Sequence, residues 1–370
     1  MHVESATAVI ISFATPDNPR AYEIGYYLID YIWSDILNSC RVSTYVVLTD
    51  MNVERLYLKV HRAAFQRAQE SKSEGASFTA RFLSLAITSG KGSKSRATKS
   101  KIEDWLLENE CTYDTCIVCL RGGIICDLGA FVASTFLHAI PLFQVPTTLL
   151  AMADASIGGK TVVDTPDGEC LMGMFWWPRR IYADLAVLRT LPLYEFVNSM
   201  AEVVKIAAVR NVNIFEVLET RSHEIRAALF GKGDMVDQEN VEAQTLLMQV
   251  VLGSEMTKAQ IIAMDEHDNG LHGLLDFGHT IGHAIGAITS PDLLHRECVS
   301  IGCVLDAKIA RHLGHLSQAS VNRLVRCFDL YDLPTSLTGA QVERLTASQT
   351  CMVDELMHIM SVNKKTVGQK

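Results

Sequence analysis

The chain has 370 residues, 48% of them hydrophobic and 20% charged, with a formal net charge of −9. That is enough apolar material for a sizeable core and a length that favours two domains, while the acidic balance argues against nucleic acid as a partner. No stretch approaches the roughly 20 apolar residues that cross a bilayer, so no membrane role is expected. The N-terminus lacks a secretory pattern, and ten scattered cysteines fit reduced thiols in a cytoplasmic setting better than a disulfide framework.

In chain order, Val9–Phe13 and Thr44–Leu48 read as β-strands, with a helix expected across Ala21–Trp33 between them. The Gly/Ser/Lys-rich stretch Ser89–Ser95 reads as an exposed loop, and Lys99–Glu108 as a helix. Thr115–Leu120 and Leu142–Val145 read as further strands. Cys116 and Cys119 form a C-x-x-C, but three residues apart on a strand they point to opposite faces, which makes two core thiols the expectation. Strand–helix alternation predicts a mainly parallel sheet with helices on its faces. From about Leu191 helical periodicity takes over, at Ser199–Val209, Glu242–Met264 and Cys298–His312. The expected organisation is therefore α/β over residues 1–190 and all-α over residues 191–370.

Arg121-Gly-Gly-Ile-Ile-Cys-Asp127 follows a predicted strand and opens a predicted helix. Paired glycines let the backbone approach a pyrophosphate, which the helix N-terminus then holds, although a plain tight turn explains the same glycines. Asp154-Ala-Ser-Ile-Gly-Gly-Lys160 lacks the first glycine of a P-loop, leaving an anion-handling loop or an ordinary turn with a solvated lysine. Phe277-Gly-His279-Thr-Ile-Gly-His283 places two histidines on one helix face, an arrangement suited to metal or phosphate. His295 stands just ahead of the next apolar helix, and Glu202 lies in an amphipathic segment. One glutamate and two histidines, with a fourth position open to substrate, make a catalytic zinc sphere; taken singly, each of these histidines reads as an ordinary core or surface residue. His267 and His312 have no motif partners and read as surface histidines, and Trp176-Trp177 reads as core.

These runs, together with Gln144-Val-Pro-Thr-Thr148, Ala201-Glu-Val-Val-Lys205 and Leu294-His-Arg-Glu-Cys298, occur in the order found in the 3-dehydroquinate synthases. From about Tyr45 to Lys365 the chain resembles that family, above all the first domain of the fungal AROM polypeptide. The resemblance implies a Rossmann-like dinucleotide-binding domain, a helical metal-binding domain, a small-molecule substrate and a homodimer. It implies Zn2+ at Glu202, His279 and His295. It implies NAD at Asp50, Lys94, Gly122, Gly123, Asp127, Thr147, Thr148, Thr190 and Glu195. Asp154, Lys160, Lys205, Lys258, His283 and Lys364 match catalytic and substrate-site positions. In the family's chemistry, zinc acidifies a ring hydroxyl and NAD+ takes the hydride from that carbon. Phosphate is then eliminated, the hydride returns, and the opened ring recloses by an intramolecular aldol step.

The likeness breaks where the family binds anions. Its arginine reaching a phosphate across the subunit interface is His138 here, its Lys-Asn pair is Glu169-Cys170, its arginine facing the substrate carboxylate is His272, and its asparagine beside the phosphate is Asp276. Lys91 replaces a glutamate near NAD, and Arg121 replaces the first of three glycines. Lost bidentate donors and added carboxylates each weaken anion binding, on the order of a few kcal/mol in a dry site. Three readings follow. The chain is a zinc- and NAD-dependent cyclase or lyase diverged to a less anionic substrate in specialised metabolism, a genuine 3-dehydroquinate synthase with compensating residues, or a non-catalytic binding or scaffolding relative. The retained metal positions with Lys160, Lys205 and Lys258 weigh against the last, and the eroded anion positions weigh against the second, so the first is preferred.

Overall fold

In the computed structural model, which describes residues 9–15, 18–71, 79–165, 168–230, 238–265, 270–289, 292–338 and 353–361, the run Thr44–Asp50 forms strand β3 and is buried at every position. A strand buried on both faces needs a layer above and below it, which a parallel sheet between helices supplies. β1 (Val9–Thr15) and β2 (Asn18–Gly25) form an antiparallel pair at one edge. From β2 the sheet continues in parallel through β9 (Arg180–Asp184), β6 (Leu142–Val145), β5 (Thr115–Leu120), β3 and β4 (Arg81–Ile87).

Alternation along the strands decides which helix covers which face. Tyr45, Val47, Cys116 and Val118 pack with Trp33 and Ile36 of α1 (Ile29–Ser39) and, beyond the one-turn α2 (Met51–Val53), Phe65 of α3 (Lys59–Glu70). Val46, Leu48, Ile117 and Cys119 pack with Leu106 of α4 (Arg96–Glu108) and Ile125 and Leu128 of α5 (Gly123–Thr135). Cys116 and Cys119 are thus free, buried thiols on opposite faces, as the strand period requires. The chain places β4 on one side of β3 and β5 on the other. Sheet growth reverses between β3 and β5, and in such sheets ligands bind beyond the strand carboxyl ends at that reversal.

The helix expected across Ala21–Trp33 is corrected: β2 ends at Gly25 and α1 begins at Ile29. Tertiary pairing overrides the local pattern, because Tyr22 and Ile24 lie opposite Ile181 and Ala183 of β9 and are fully buried. The Ser89–Ser95 stretch holds only a short 3-10 turn at Lys91–Ser93. Its last residue caps α4, with Ser95 Oγ accepting from the Thr98 N–H at 3.2 Å. A separate two-stranded sheet, β7 (Lys160–Thr165) with β8 (Gly168–Phe175), completes the unit Met1–Leu191.

The unit Pro192–Lys370 is helical. It contains α6 (Leu193–Arg210), α7 (Val212–Thr220), α8 (Ser222–Phe230) and α9 (Gln238–Met264), then α10 (His279–Thr289), α11 (His295–His312), α12 (Gln318–Asp329) and α13 (Val353–Ser361). Ile281, Ile285, Cys298 and Ile301 join α10 to α11, and Leu356 and Met360 of α13 pack against them. Among the described residues no helix is long and apolar enough to cross a membrane.

One core contact carries a pH dependence. Trp33 Nε1 donates to His61 Nδ1 at 3.1 Å, and burial pulls the His61 imidazole down from 6.5 to about 4. Between those values the unfolded chain binds more protons than the folded one, so stability falls as pH drops from 6.5 towards 4, by up to roughly 3 kcal/mol. His61→Gln keeps an acceptor for Trp33 and removes the titration. Urea midpoints at pH 7 and pH 5 are expected to differ less in the variant than in the parent, and equal differences in both proteins would rule the effect out.

Candidate active site

Each side chain of the helical unit's polar cluster is set by a helix position. Glu202 and Lys205 lie one turn apart on α6 and both are buried, with Glu202 Oε2 at 2.5 Å from Lys205 Nζ. Lys205 Nζ also donates to the Leu275 carbonyl oxygen at 2.9 Å. Gly278 leads into α10 with φ +77°, and its N–H donates to Asp306 Oδ2 at 2.7 Å. That turn delivers His279 as the first residue of α10, with His283 one turn on, and α11 opens on His295. Candidate ligand atoms of His279, His283 and His295 lie within 4.8 Å of one another, and His279 Nε2 is 3.5 Å from Glu202 Oε1.

The electrostatics suit a cation. Burial alone pushes the Glu202 carboxyl up, but Lys205 and His279 together hold it well below the usual carboxylate range. Burial, helped by Arg296 and His283, pulls the His295 imidazole down to about 3, which leaves it neutral with a lone pair to offer. Three imidazoles and a carboxylate are the donor types that zinc takes, so these residues fit the metal. The cluster therefore gathers Glu202, Lys205, His279, His283 and His295. Lys258 is buried on α9, Glu195 is half-buried in the first turn of α6, and Asp276 is half-buried at the end of a 3-10 turn, Leu271–Asp276. Lys364 and His267 lie outside the described residues, as do the side chains of Lys91, Glu169, Cys170 and His272.

In the α/β unit a second group forms at the β3/β5 reversal. Asp50 ends β3, and its Oδ1 accepts from the N–H groups of Asn52 and Val53, each at 3.0 Å. Its Oδ2 accepts from Ser89 Oγ and pairs with Arg121 Nη2. Gly122 is the N-cap of α5, and a Cβ there would stand 2.9 Å from Thr148 Cγ2. Asp127 pairs with Lys94 at 2.6 Å. The Thr147 N–H donates to the Arg121 carbonyl at 3.3 Å. Thr147 Oγ1 and Arg121 Nη1 are buried with no hydrogen-bond partner among the described residues. Orphaned buried donors beside a helix N-terminus fit the oxygens of a dinucleotide. Thr190 is exposed and meets Tyr57 Oη at 2.7 Å.

The second glycine pair has a conformational reason. Gly158 and Gly159 take φ +129° and +62°, and a Cβ on Gly159 would lie 2.6 Å from the Trp177 ring. The turn positions Asp154 before it and Lys160 after it, both half-buried. His138 is exposed, with Nδ1 at 3.3 Å from Tyr113 Oη. Sequence reasoning missed Ser89 and Asp306 and took Arg121 only as a lost glycine. The signal that would have found the Arg121 partner, the adjacency of β3 and β5, belongs to the topology.

The profile of the 3-dehydroquinate synthase N-terminal domain matches residues 84–198, and that of the C-terminal domain matches residues 199–366. Among solved structures, 2-deoxy-scyllo-inosose synthase complexed with carbaglucose-6-phosphate, NAD+ and Co2+ is similar with a TM-score of 0.76 at 19% identity, over 97% of this chain and 88% of that one. The 2-epi-5-epi-valiolone synthase from Streptomyces hygroscopicus subsp. jinggangensis 5008, with NAD+ and Zn2+ bound, gives 0.76 at 21% identity, over 94% and 87%. Glycerol dehydrogenase from Schizosaccharomyces pombe gives 0.60 at 18% identity, over 97% and 88%. At such identities these likenesses show the fold, a Rossmann-like parallel-sheet unit followed by a helical one. The two matched profiles span most of the sequence, and the chain belongs to the 3-dehydroquinate synthase family.

Proposed function

We propose that this chain is a zinc- and nicotinamide-dinucleotide-dependent cyclase or lyase, working as a homodimer in specialised metabolism on a substrate less anionic than a sugar-acid phosphate. The observation that carries the reading is the assembled cluster of Glu202, His279, His283 and His295, with the buried Glu202 charge compensated by Lys205. The 2-deoxy-scyllo-inosose and valiolone synthases of the same fold hold NAD+ with Co2+ or Zn2+, which supports the same pair of cofactors here.

Glu202, His279 and His295 are the proposed metal ligands. Asp50, Lys94, Gly122, Gly123, Asp127, Thr147, Thr148, Thr190 and Glu195 are the proposed dinucleotide contacts. Zinc, when bound, supplies Lewis acidity to a substrate hydroxyl, and the dinucleotide supplies a reversible hydride acceptor. To His283, one turn from His279 on α10, we assign the taking and returning of that hydroxyl's proton. Lys205, with His279, holds the Glu202 carboxyl down against the upward push of burial. Asp154, Lys160, Lys258 and Lys364 bind and orient the substrate oxygens.

Two described positions argue for the weaker anion. His138 offers a single titratable ring where an arginine would present a permanent fork. Asp276 adds a carboxylate directly after Leu275, whose carbonyl receives Lys205. The test is phosphate release from the family's seven-carbon sugar-acid phosphate by the zinc-loaded protein with NAD+ supplied. We expect turnover below about 0.01 per second, against about 10 per second for a typical enzyme. Turnover at the typical rate, abolished by Lys160→Ala, would establish a genuine 3-dehydroquinate synthase and sink this reading.

A further inference from the structure

The Phe277–Gly278 peptide is held at both of its polar atoms by one turn of α11. Its N–H donates to Asp306 Oδ2 at 2.7 Å, and its carbonyl oxygen accepts from Cys303 Sγ at 3.5 Å. Cys303 and Asp306 stand three residues apart on that helix and so share a face. A glycine at φ +77° gives the turn little stiffness of its own, so the turn's conformation depends on what holds it. Packing holds it from the same side, since a Cβ on Gly278 would lie 2.3 Å from Cys303 Sγ.

The same carbonyl sets the state of the next side chain. His279 Nδ1 is 3.3 Å from the Phe277 carbonyl oxygen. A carbonyl can only accept, so the imidazole carries a proton on Nδ1 and its lone pair is left to Nε2. Nε2 is the atom that lies 3.5 Å from Glu202 Oε1. A metal-binding histidine gives its other N–H to a carbonyl or carboxylate, which fixes both its tautomer and the orientation of its ring. The contacts therefore run from Asp306 through the Gly278 N–H to the peptide plane, and from the carbonyl of that plane to the ring. Rotation of the plane would withdraw the acceptor from Nδ1 and swing Nε2 off the line on which it faces Glu202. Asp306 itself is half-buried and stands outside the histidine cluster.

We infer that Asp306 is a positioning residue of the metal centre, fixing the tautomer and aim of His279 through the Phe277–Gly278 peptide. The inference rests on the metal reading above. Titration of the metal-free full chain with Co2+ tests it, because the visible absorption of Co2+ reports the geometry of its ligands as well as its affinity. Asp306→Leu keeps the shape of the side chain and removes the acceptor. It is expected to bind Co2+ at least about tenfold more weakly than the parent and, at saturation, with an altered visible spectrum. Asp306→Asn gives up the charge but keeps an oxygen for the Gly278 N–H, and is expected to restore the parent's affinity and spectrum. Asp306→Ala removes the acceptor with less bulk and serves the same comparison if Asp306→Leu does not fold. A folded acceptor-free variant with the parent's affinity and spectrum would overturn the inference and leave the metal centre standing. So would an Asp306→Asn as impaired as Asp306→Leu, since the charge rather than the hydrogen bond would then act. A parent chain that takes up neither Co2+ nor Zn2+ would remove the metal reading itself, and the inference with it.

Discussion

His279→Ala and His295→Ala are expected to strip zinc from the protein, while His283→Ala leaves it bound. His279 is the histidine that faces Glu202. Its Nε2 is 3.5 Å from Glu202 Oε1, and its ring centroid lies 5.2 Å from that of His283 and 6.0 Å from that of His295. Removing it takes away an imidazole donor and leaves the buried Glu202 paired with Lys205, an arrangement in which the lysine replaces the metal as counter-ion. The expected affinity loss exceeds the 10–100-fold that residues outside a metal's own ligand set cost, so we expect more than about 100-fold. His283 is assigned to the substrate proton, and its loss is expected to cost turnover with metal content close to one per chain. Metal analysis of the three purified variants decides the matter. A metal-free His283→Ala alongside a metal-replete Glu202→Gln would make the three histidines the ligand set and move Glu202 to a supporting role.

How much of this arrangement the sequence discloses varies with the range of the interactions involved. The runs Thr44–Leu48 and Thr115–Leu120 are legible because strands buried on both faces are apolar throughout, and Cys116 and Cys119 follow from the strand period. His279 and His283 share a helix, as their spacing indicates. Ala21–Gly25 misleads because its partner β9 is far along the chain, and hydrogen bonding across the sheet outweighs the local helical pattern. The neighbourhood of Glu202 is invisible to spacing, since α6, α10 and α11 meet only through tertiary packing. Arg121 is the instructive residue. In sequence it is a damaged glycine motif, whereas in the fold it is one half of an ion pair with the buried Asp50 across the β3/β5 reversal.

Gly302→Ala is expected to weaken zinc binding from a position outside the proposed ligand set. A Cβ on Gly302 would stand 2.1 Å from the Gly278 carbonyl oxygen and 2.8 Å from the Gly282 nitrogen. Both are backbone atoms and cannot rotate aside, so α10 and α11 must separate by roughly an ångström; overpacking of this kind costs about 1–3 kcal/mol. Gly278 directly precedes His279, and Gly302 lies two turns along the helix that His295 opens. The separation therefore pulls the histidines apart, and metal–ligand distances tolerate only about 0.2 Å. We expect a Tm lower by about 5 °C and zinc bound at least tenfold more weakly, with far-ultraviolet circular dichroism unchanged. Gly273→Ala is the control, because a Cβ there meets nothing within 4 Å. If Gly302→Ala kept the parent's Tm and zinc affinity, the two helices would be free to adjust, and the spacing of His279 and His295 would be set by the side chains that meet at the metal rather than by the glycines that bring their helices together.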